Sequence, residues 1–231
     1  MSMNNIKLIC FDLDDTLWPC MRTIHRAEDI YYQWLQQFKP AITEKYTATE
    51  IREKRRELRE RTPSLAHDMS KLRIHSLYEL ADEFNDGSDW VMEAFDAFYQ
   101  ARQQVSFFED VAPVLERLNP LYRIAAVTNG NADIYTTELA GFFDVAVSAA
   151  EAGIMKPDPA IFELLQQKTG VAAGSILHVG DHPCDDIEGA SRAGIRNVWL
   201  NRQQTDWSST AVEPDYIVEN LYQLLEILGL D

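Results

Sequence analysis

"FDLDDTLW", residues 11–18, decides how the rest of the chain is read. It closes an apolar run containing Ile6, Leu8, Ile9, Cys10 and Phe11, the pattern of a short buried strand over residues 6–11. Asp12, Asp14 and Asp15 follow at once. Carboxylates this close repel one another, and each makes the next harder to ionise. Alone, such a cluster is a solvated turn. Gathered with other polar groups, it can hold a cation and do chemistry.

Two kinds of sequence follow. Ile24, Ala27, Tyr31, Trp34 and Phe38 recur at spacings of three and four, the stripe of an amphipathic helix that Pro40 ends. Thr47 with Glu50 forms a capping-box signature for a second helix reaching about Arg61. A third helix is expected from near Ser64 to Phe84, stopping at "NDG", residues 85–87, and Ser88 is expected to cap a fourth. From Phe107 onward strands and helices alternate. "VAPVLERL" (111–118) reads as a helix, "RIAAVT" (123–128) as a buried strand, and residues 133–140 as a short helix before "DVAVS" (144–148). Asp158 and Pro159 fit the N-cap and first position of the next helix. "ILHVG" (176–180) is a strand, and the helix after it stops at Gly194. "IRNVWL" (195–200) and "YIV" (216–218) are strands, and residues 221–228 a closing helix. This grammar predicts an α/β fold: a Rossmann-like parallel sheet with helices on both faces, built from residues 1–17 and 106–231. Residues 18–105 are an inserted helical bundle.

Bulk composition narrows the partners. The 231 residues are 46% hydrophobic, and the formal net charge is −16. So acidic a chain is a poor match for nucleic acid or an anionic membrane surface. Three cysteines without CxxC spacing read as free thiols of a reducing compartment, and no apolar run approaches a membrane span, so a cytoplasmic protein is expected. The stretch "IREKRRELRER" (51–61) carries six basic and three acidic residues and reads as a solvated helix face, with attraction of an anionic substrate as its alternative.

Ligands of open parallel sheets bind beyond the carboxyl ends of the strands. Three strands here end in polar groups at that edge: Asp12 and Asp14 after the first, Thr128, Asn129 and Gly130 after the next, and Asp181, Asp185 and Asp186 after "ILHVG". Lys156 precedes Pro157, which restricts its backbone and so the direction of its side chain. This set suits phosphoryl transfer. A divalent ion and the Lys156 ammonium neutralise an incoming phosphate, the Thr128 hydroxyl and nearby N–H groups donate to its oxygens, and Asp12 attacks phosphorus. Asp14 then serves as acid and base.

The order "DLDDT", "TNG", "KPDP", "VGDHPCDD" resembles the four motifs of haloacid-dehalogenase-superfamily phosphatases, across the whole α/β part. The resemblance implies that residues 18–105 are a C1-type cap, that Asp12 is the nucleophile and that Asp14 is the acid/base. It implies phosphate binding by Thr128, Asn129 and Lys156, and Mg²⁺ held by Asp12, Asp181 and the backbone carbonyl of Asp14. Asp185 and Asp186 both fit the fourth motif as a metal-assisting or Lys156-orienting residue. Asp186 is favoured because "DIEGA" then matches the usual helix start. Within the superfamily the phrases are most similar to bacterial phosphatases of FMN or riboflavin-pathway phosphates, acting on a small phosphorylated metabolite as monomer or homodimer. A sugar phosphomutase, a 2-haloacid dehalogenase and a non-catalytic phosphometabolite-binding module are the alternatives. The dehalogenase lacks an acid at the position of Asp14 and uses no metal. His178 and His182 read as ordinary strand and loop residues, and Trp18 as a cover for the site or as packing at the hinge. The aromatics Tyr31, Tyr32, Trp34, Phe95, Phe98 and Tyr99 read mainly as core of the insertion.

Overall fold

The computed structural model describes residues 3–207 and 212–230. It divides into two compact units, one taking the chain through Pro19 and from Ser106 onward, the other Cys20–Val105.

In the first unit a six-stranded sheet has the order β3-β2-β1-β4-β5-β6, and every neighbouring pair is parallel. The strands are β1 (Leu8–Phe11), β2 (Arg123–Thr128), β3 (Val145–Ser148), β4 (Ile176–Gly180), β5 (Arg196–Leu200) and β6 (Tyr216–Val218). All four residues of β1 are fully buried, because the strand has sheet neighbours on both sides and packed cover on both faces. The chain runs outward from β1 through β2 to β3, then returns to β4 on the other side of β1. That reversal between β1 and β4 is where an open α/β sheet binds its ligand.

The second unit holds α1 (Cys20–Phe38), α2 (Pro40–Lys45), α3 (Ala48–Arg61), α4 (Met69–Phe84) and α5 (Val91–Gln103). The core unit adds α6 (Val111–Leu118), α7 (Ala149–Ala152), α8 (Ala160–Thr169), α9 (Gly189–Arg192) and α10 (Leu221–Leu228). Local signals hold where chemistry is local. The Thr47–Glu50 capping box is present in both directions at the start of α3. Several boundaries differ from expectation. Pro40 ends α1 but also opens α2, where its missing N–H costs nothing. The third helix begins at Met69, because the Asp68 side chain caps it by accepting from the Lys71 N–H at 2.8 Å. The fourth begins at Val91 rather than beside Ser88. Residues 133–140 form no regular helix, only 3₁₀ turns at Ile134–Thr136 and Ala140–Phe142. Pro159 takes the cap position of α8, while the Asp158 carboxylate still accepts the Ala160 N–H at 3.0 Å. The segment after β4 opens as a π-helical turn, Pro183–Glu188, before α9.

Tyr31, Phe95 and Phe98 are buried in the core of the helical unit, and Tyr32, Trp34 and Tyr99 pack against it. The basic stretch of α3 is largely consumed by ion pairs: Arg56 with Glu53 and Glu60, Arg61 with Glu79, Lys54 with Glu83. Arg55 and Arg73 both donate to the buried Glu28, and the Arg73 guanidinium lies 3.2 Å from the centre of the Phe98 ring. Burial alone would raise the Glu28 carboxyl, but Arg73 and then Arg55 outweigh it and hold the group below its ordinary value. Glu28→Gln leaves two guanidiniums facing no anion. It should destabilise the protein by about 3–5 kcal/mol, the usual penalty for breaking a buried ion pair from one side. Urea unfolding at pH 7 measures this, and a loss below about 1 kcal/mol would show that solvent screens the pair.

Candidate active site

Four segments meet at the carboxyl ends of β1, β2 and β4. Asp12 follows β1, and its N–H continues the ladder by donating to the Val179 carbonyl at 2.9 Å. The next five residues make a closed turn. The Leu17 N–H bonds the Leu13 carbonyl at 2.8 Å, the Asp15 N–H bonds the Trp18 carbonyl at 2.7 Å, and Asp15 takes a left-handed backbone with φ of 58°. Leu13, Leu17 and Trp18 are buried and anchor the turn. The indole N–H of Trp18 donates to the Asp14 carboxylate at 2.8 Å. Trp18 therefore orients Asp14, and its ring packs edge-on against Phe107.

Lys156 is the hub. Its ammonium has three N–H groups and three acceptors: Asp12 Oδ1 at 2.6 Å, Asp186 Oδ1 at 2.6 Å and the Val127 carbonyl at 2.9 Å. Asn129 grips the same residue by its main chain, accepting the Lys156 N–H at 2.8 Å and donating to its carbonyl at 3.0 Å. The remaining reach of the Asn129 amide goes to Asp185 Oδ2 at 3.2 Å. Thr128, at the end of β2, accepts the Gly130 N–H on its hydroxyl at 2.9 Å, which leaves its own hydrogen to donate.

The two candidates of the fourth motif separate clearly. Asp186 is buried, and Lys156, His178 and the His182 N–H all donate to it. Asp185 is more exposed and bonds Asn129. Asp181 accepts from the Thr16 hydroxyl at 3.3 Å, and its main-chain carbonyl takes the Trp199 indole N–H at 2.7 Å.

A cavity of about 180 Å³ is lined by Asp12, Asp14, Asp15, Thr128, Asn129, Lys156, Asp181, Asp185 and Asp186, among others. Six carboxyl groups face one ammonium there, so their charges repel an incoming anion. The side chains already register this. Burial pushes the Asp12 carboxyl well above its usual value; Lys156 opposes that shift, while Asp186 and Asp181 add to it. Burial, then Asp186 and Asp15, push Asp181 up to about 7. Burial also acts to raise Asp186, but Lys156 and the hydrogen bond from His178 overcome it and hold this carboxyl below its ordinary value. Carboxylate oxygens of Asp12, Asp181 and Asp186 lie within 4.8 Å of one another. These hard oxygen donors suit Mg²⁺.

A family model for the haloacid dehalogenase-like hydrolases matches residues 6–194. The chain belongs to this family. Among curated relatives, it is 28% identical over 215 residues to the 5-amino-6-(5-phospho-D-ribitylamino)uracil phosphatase YigB of Escherichia coli (strain K12), covering 90% of this chain and 89% of that one. It is 27% identical to a phosphoserine phosphatase of Thermus thermophilus, covering 85% of this chain and 89% of that one. Among solved structures, a 2-haloacid dehalogenase from Pseudomonas syringae pv. Tomato DC3000 superposes with a TM-score of 0.90 at 38% identity, covering 97% and 98% of the two chains. The hydrolase fold thus joins residues as far apart as Asp12, Thr128, Lys156 and Asp186. Trp18, Trp199 and the buried His178 support them; the sequence offers Trp18 as cover or hinge packing and His178 as an ordinary strand residue, and it does not single out Trp199.

Proposed function

We propose that this hydrolase is a Mg²⁺-dependent phosphatase of a small phosphorylated metabolite, with Asp12 as nucleophile and Asp14 as acid/base. The observation that carries this reading is the second carboxylate. Asp14, held by Trp18 two residues beyond Asp12, gives the site a group that can protonate a leaving alkoxide and then take a proton from water. A dehalogenase does not need one. A bound Mg²⁺, on Asp12, Asp181 and the Asp14 carbonyl, supplies the positive charge that lets a phosphate approach a carboxylate. Lys156 keeps the attacking oxygens of Asp12 fixed, the Thr128 hydroxyl donates to the phosphoryl group, and Asn129 holds the Lys156 segment in place. Asp12 accepts the phosphoryl group as an acyl phosphate while Asp14 gives its proton to the departing oxygen. Asp14 then activates the water that releases phosphate.

A larger cavity of about 480 Å³ shares Asp15, Asp181 and His182 with the catalytic one and adds Phe108, Trp199 and Arg202, which leaves room for a leaving group. End-to-end similarity to a 5-amino-6-(5-phospho-D-ribitylamino)uracil phosphatase supports a ribityl phosphate such as that compound or FMN as substrate. The helical unit serves as the cap that selects it. Three free cysteines suit a cytoplasmic protein working as monomer or homodimer. Phosphate release with Mg²⁺ across a panel containing both compounds, phosphoserine and p-nitrophenyl phosphate, beside halide release from 2-chloropropionate, tests the reading. Halide release without phosphate release would overturn it.

Metal binding should depend on pH in a stated direction. An ion on Asp181 must displace the proton that this carboxyl holds below about pH 7. Mg²⁺ affinity should therefore fall by about tenfold or more per unit as pH drops below 7, since Asp12, whose carboxyl is also raised, must give up its proton too. Titration calorimetry reads this directly. Affinity unchanged from pH 8 to pH 5 would remove Asp181 from the ligand set.

A further inference from the structure

We propose that His178 is a positioning residue of the catalytic site, holding Asp186 against Lys156 through a single Nε2–H donor. The proposal rests on the phosphatase reading for its activity test alone. His178 lies in the middle of β4, fully buried, with the edge of its ring against Phe162. Stability by itself favours an apolar side chain there, because an imidazole in the core carries two polar nitrogens to satisfy. One of them, Nδ1, makes no hydrogen bond of good geometry among the described residues, although the Cys10 backbone on the neighbouring strand lies near the ring. The other lies 2.9 Å from Asp186 Oδ1.

The geometry fixes which nitrogen carries hydrogen. Beside the Lys156 ammonium, Asp186 is ionised and offers only acceptors. Nε2 must donate, and because burial of the ring opposes a second proton, Nδ1 keeps its lone pair even with the Cys10 backbone nearby. The imidazole is a neutral, one-sided donor.

Strand geometry shows why the residue is at this position. Residues 178 and 180 face the same side of β4. A Cβ at Gly180 would lie 2.2 Å from Asp186 Cγ, so the Asp186 carboxyl sits directly on the bare strand at Gly180. Gly180 gives it space and His178, two residues earlier, grips it. The His182 N–H takes Oδ2 at 2.9 Å, which leaves Oδ1 aimed at Lys156. Without His178, Oδ1 keeps Lys156 as its one donor, and Asp186 is less firmly held. The ammonium beside Asp12 then shifts with it.

Two replacements separate positioning from packing. Gln places its amide nitrogen the same number of bonds from Cα as His Nε2, and Met fills similar space with no donor. His178→Met should lower kcat on p-nitrophenyl phosphate by about tenfold to hundredfold, the scale of one hydrogen bond to a charged group, with KM little changed. His178→Gln should retain activity to within about threefold. A packing role would move both alike, and equal losses in two folded variants overturn the proposal. A second measurement needs no variant. ¹⁵N chemical shifts of the His178 ring in the native protein should show a protonated Nε2 and an unprotonated Nδ1. The opposite tautomer overturns the proposal even if neither variant folds. A native enzyme that hydrolyses no phosphate ester counts against the proposed activity, while the tautomer still decides the role of His178.

Discussion

Asp12→Asn should abolish turnover of every phosphate ester and, in chelated buffer, raise the melting temperature. The first effect follows because an amide cannot accept the phosphoryl group; removing a nucleophile costs on the order of 10⁴-fold or more. The second follows from the sign of the Asp12 shift. Burial raises its carboxyl, the Lys156 ammonium opposes, and Asp186 and Asp181 raise it further. A carboxyl raised on folding favours the folded state when protonated, so its charge costs stability increasingly as pH rises through its folded value. Asparagine removes that charge and leaves Lys156 neutralised by Asp186 alone. Each kcal/mol of relief corresponds to about 2–4 °C in a chain of this length. Asp14→Asn should behave differently. p-Nitrophenolate leaves without a proton, so one nitrophenol per site should appear in a burst. Steady turnover should then be slower by about 10²–10⁴, with phosphate trapped on the protein after acid quenching. Loss of both half-reactions alike in the two variants, with no trapped phosphate, would remove the distinction between the acids.

Lys156→Met should damage both fold and activity. In the native protein the ammonium sits between two buried carboxylates, each 2.6 Å away. Without it, Asp12 and Asp186 face each other with no cation, a change expected to cost about 3–5 kcal/mol. The carboxylates can escape part of that cost by taking up a proton. The variant should accordingly be most destabilised near pH 8 and recover part of the loss near pH 5. Adding Asp12→Asn to Lys156→Met should restore stability at pH 8 without restoring activity, since the two sites share one contact. Melting curves of the single and double variants at both pH values measure the coupling. Strictly additive losses would mean that the buried charges do not interact as their distances imply.

How far a sequence reading reaches depends on how far apart the interacting residues are. The parallel sheet was legible because a strand covered on both faces must be apolar throughout, as "LICF" and "IAAVT" are. The polar edge of the sheet was legible because polar residues after such strands can only lie at their carboxyl ends. The Thr47–Glu50 box needed three residues of context, and all of it is local. Boundaries near Ser64, Ser88 and residues 133–140 were misplaced, because competing caps and turns of similar strength decide them.

Tertiary structure decided the rest. Asp185 and Asp186 are adjacent and chemically identical, yet only Asp186 reaches Lys156, thirty residues away in sequence. Asn129 read as a phosphate ligand, and only the fold shows that its amide also holds the main chain of Lys156. Trp18 read as cover or hinge packing and His178 as an ordinary strand residue, and their partners stayed hidden because a hydrogen bond from a buried ring depends on what packs against that ring. Sequence by itself fixed which residue types gather at the sheet edge, since burial and strand direction act on each segment separately. Which oxygen each donor meets was set only when four segments closed on one ammonium, because hydrogen bonds depend on distances that chain order does not contain.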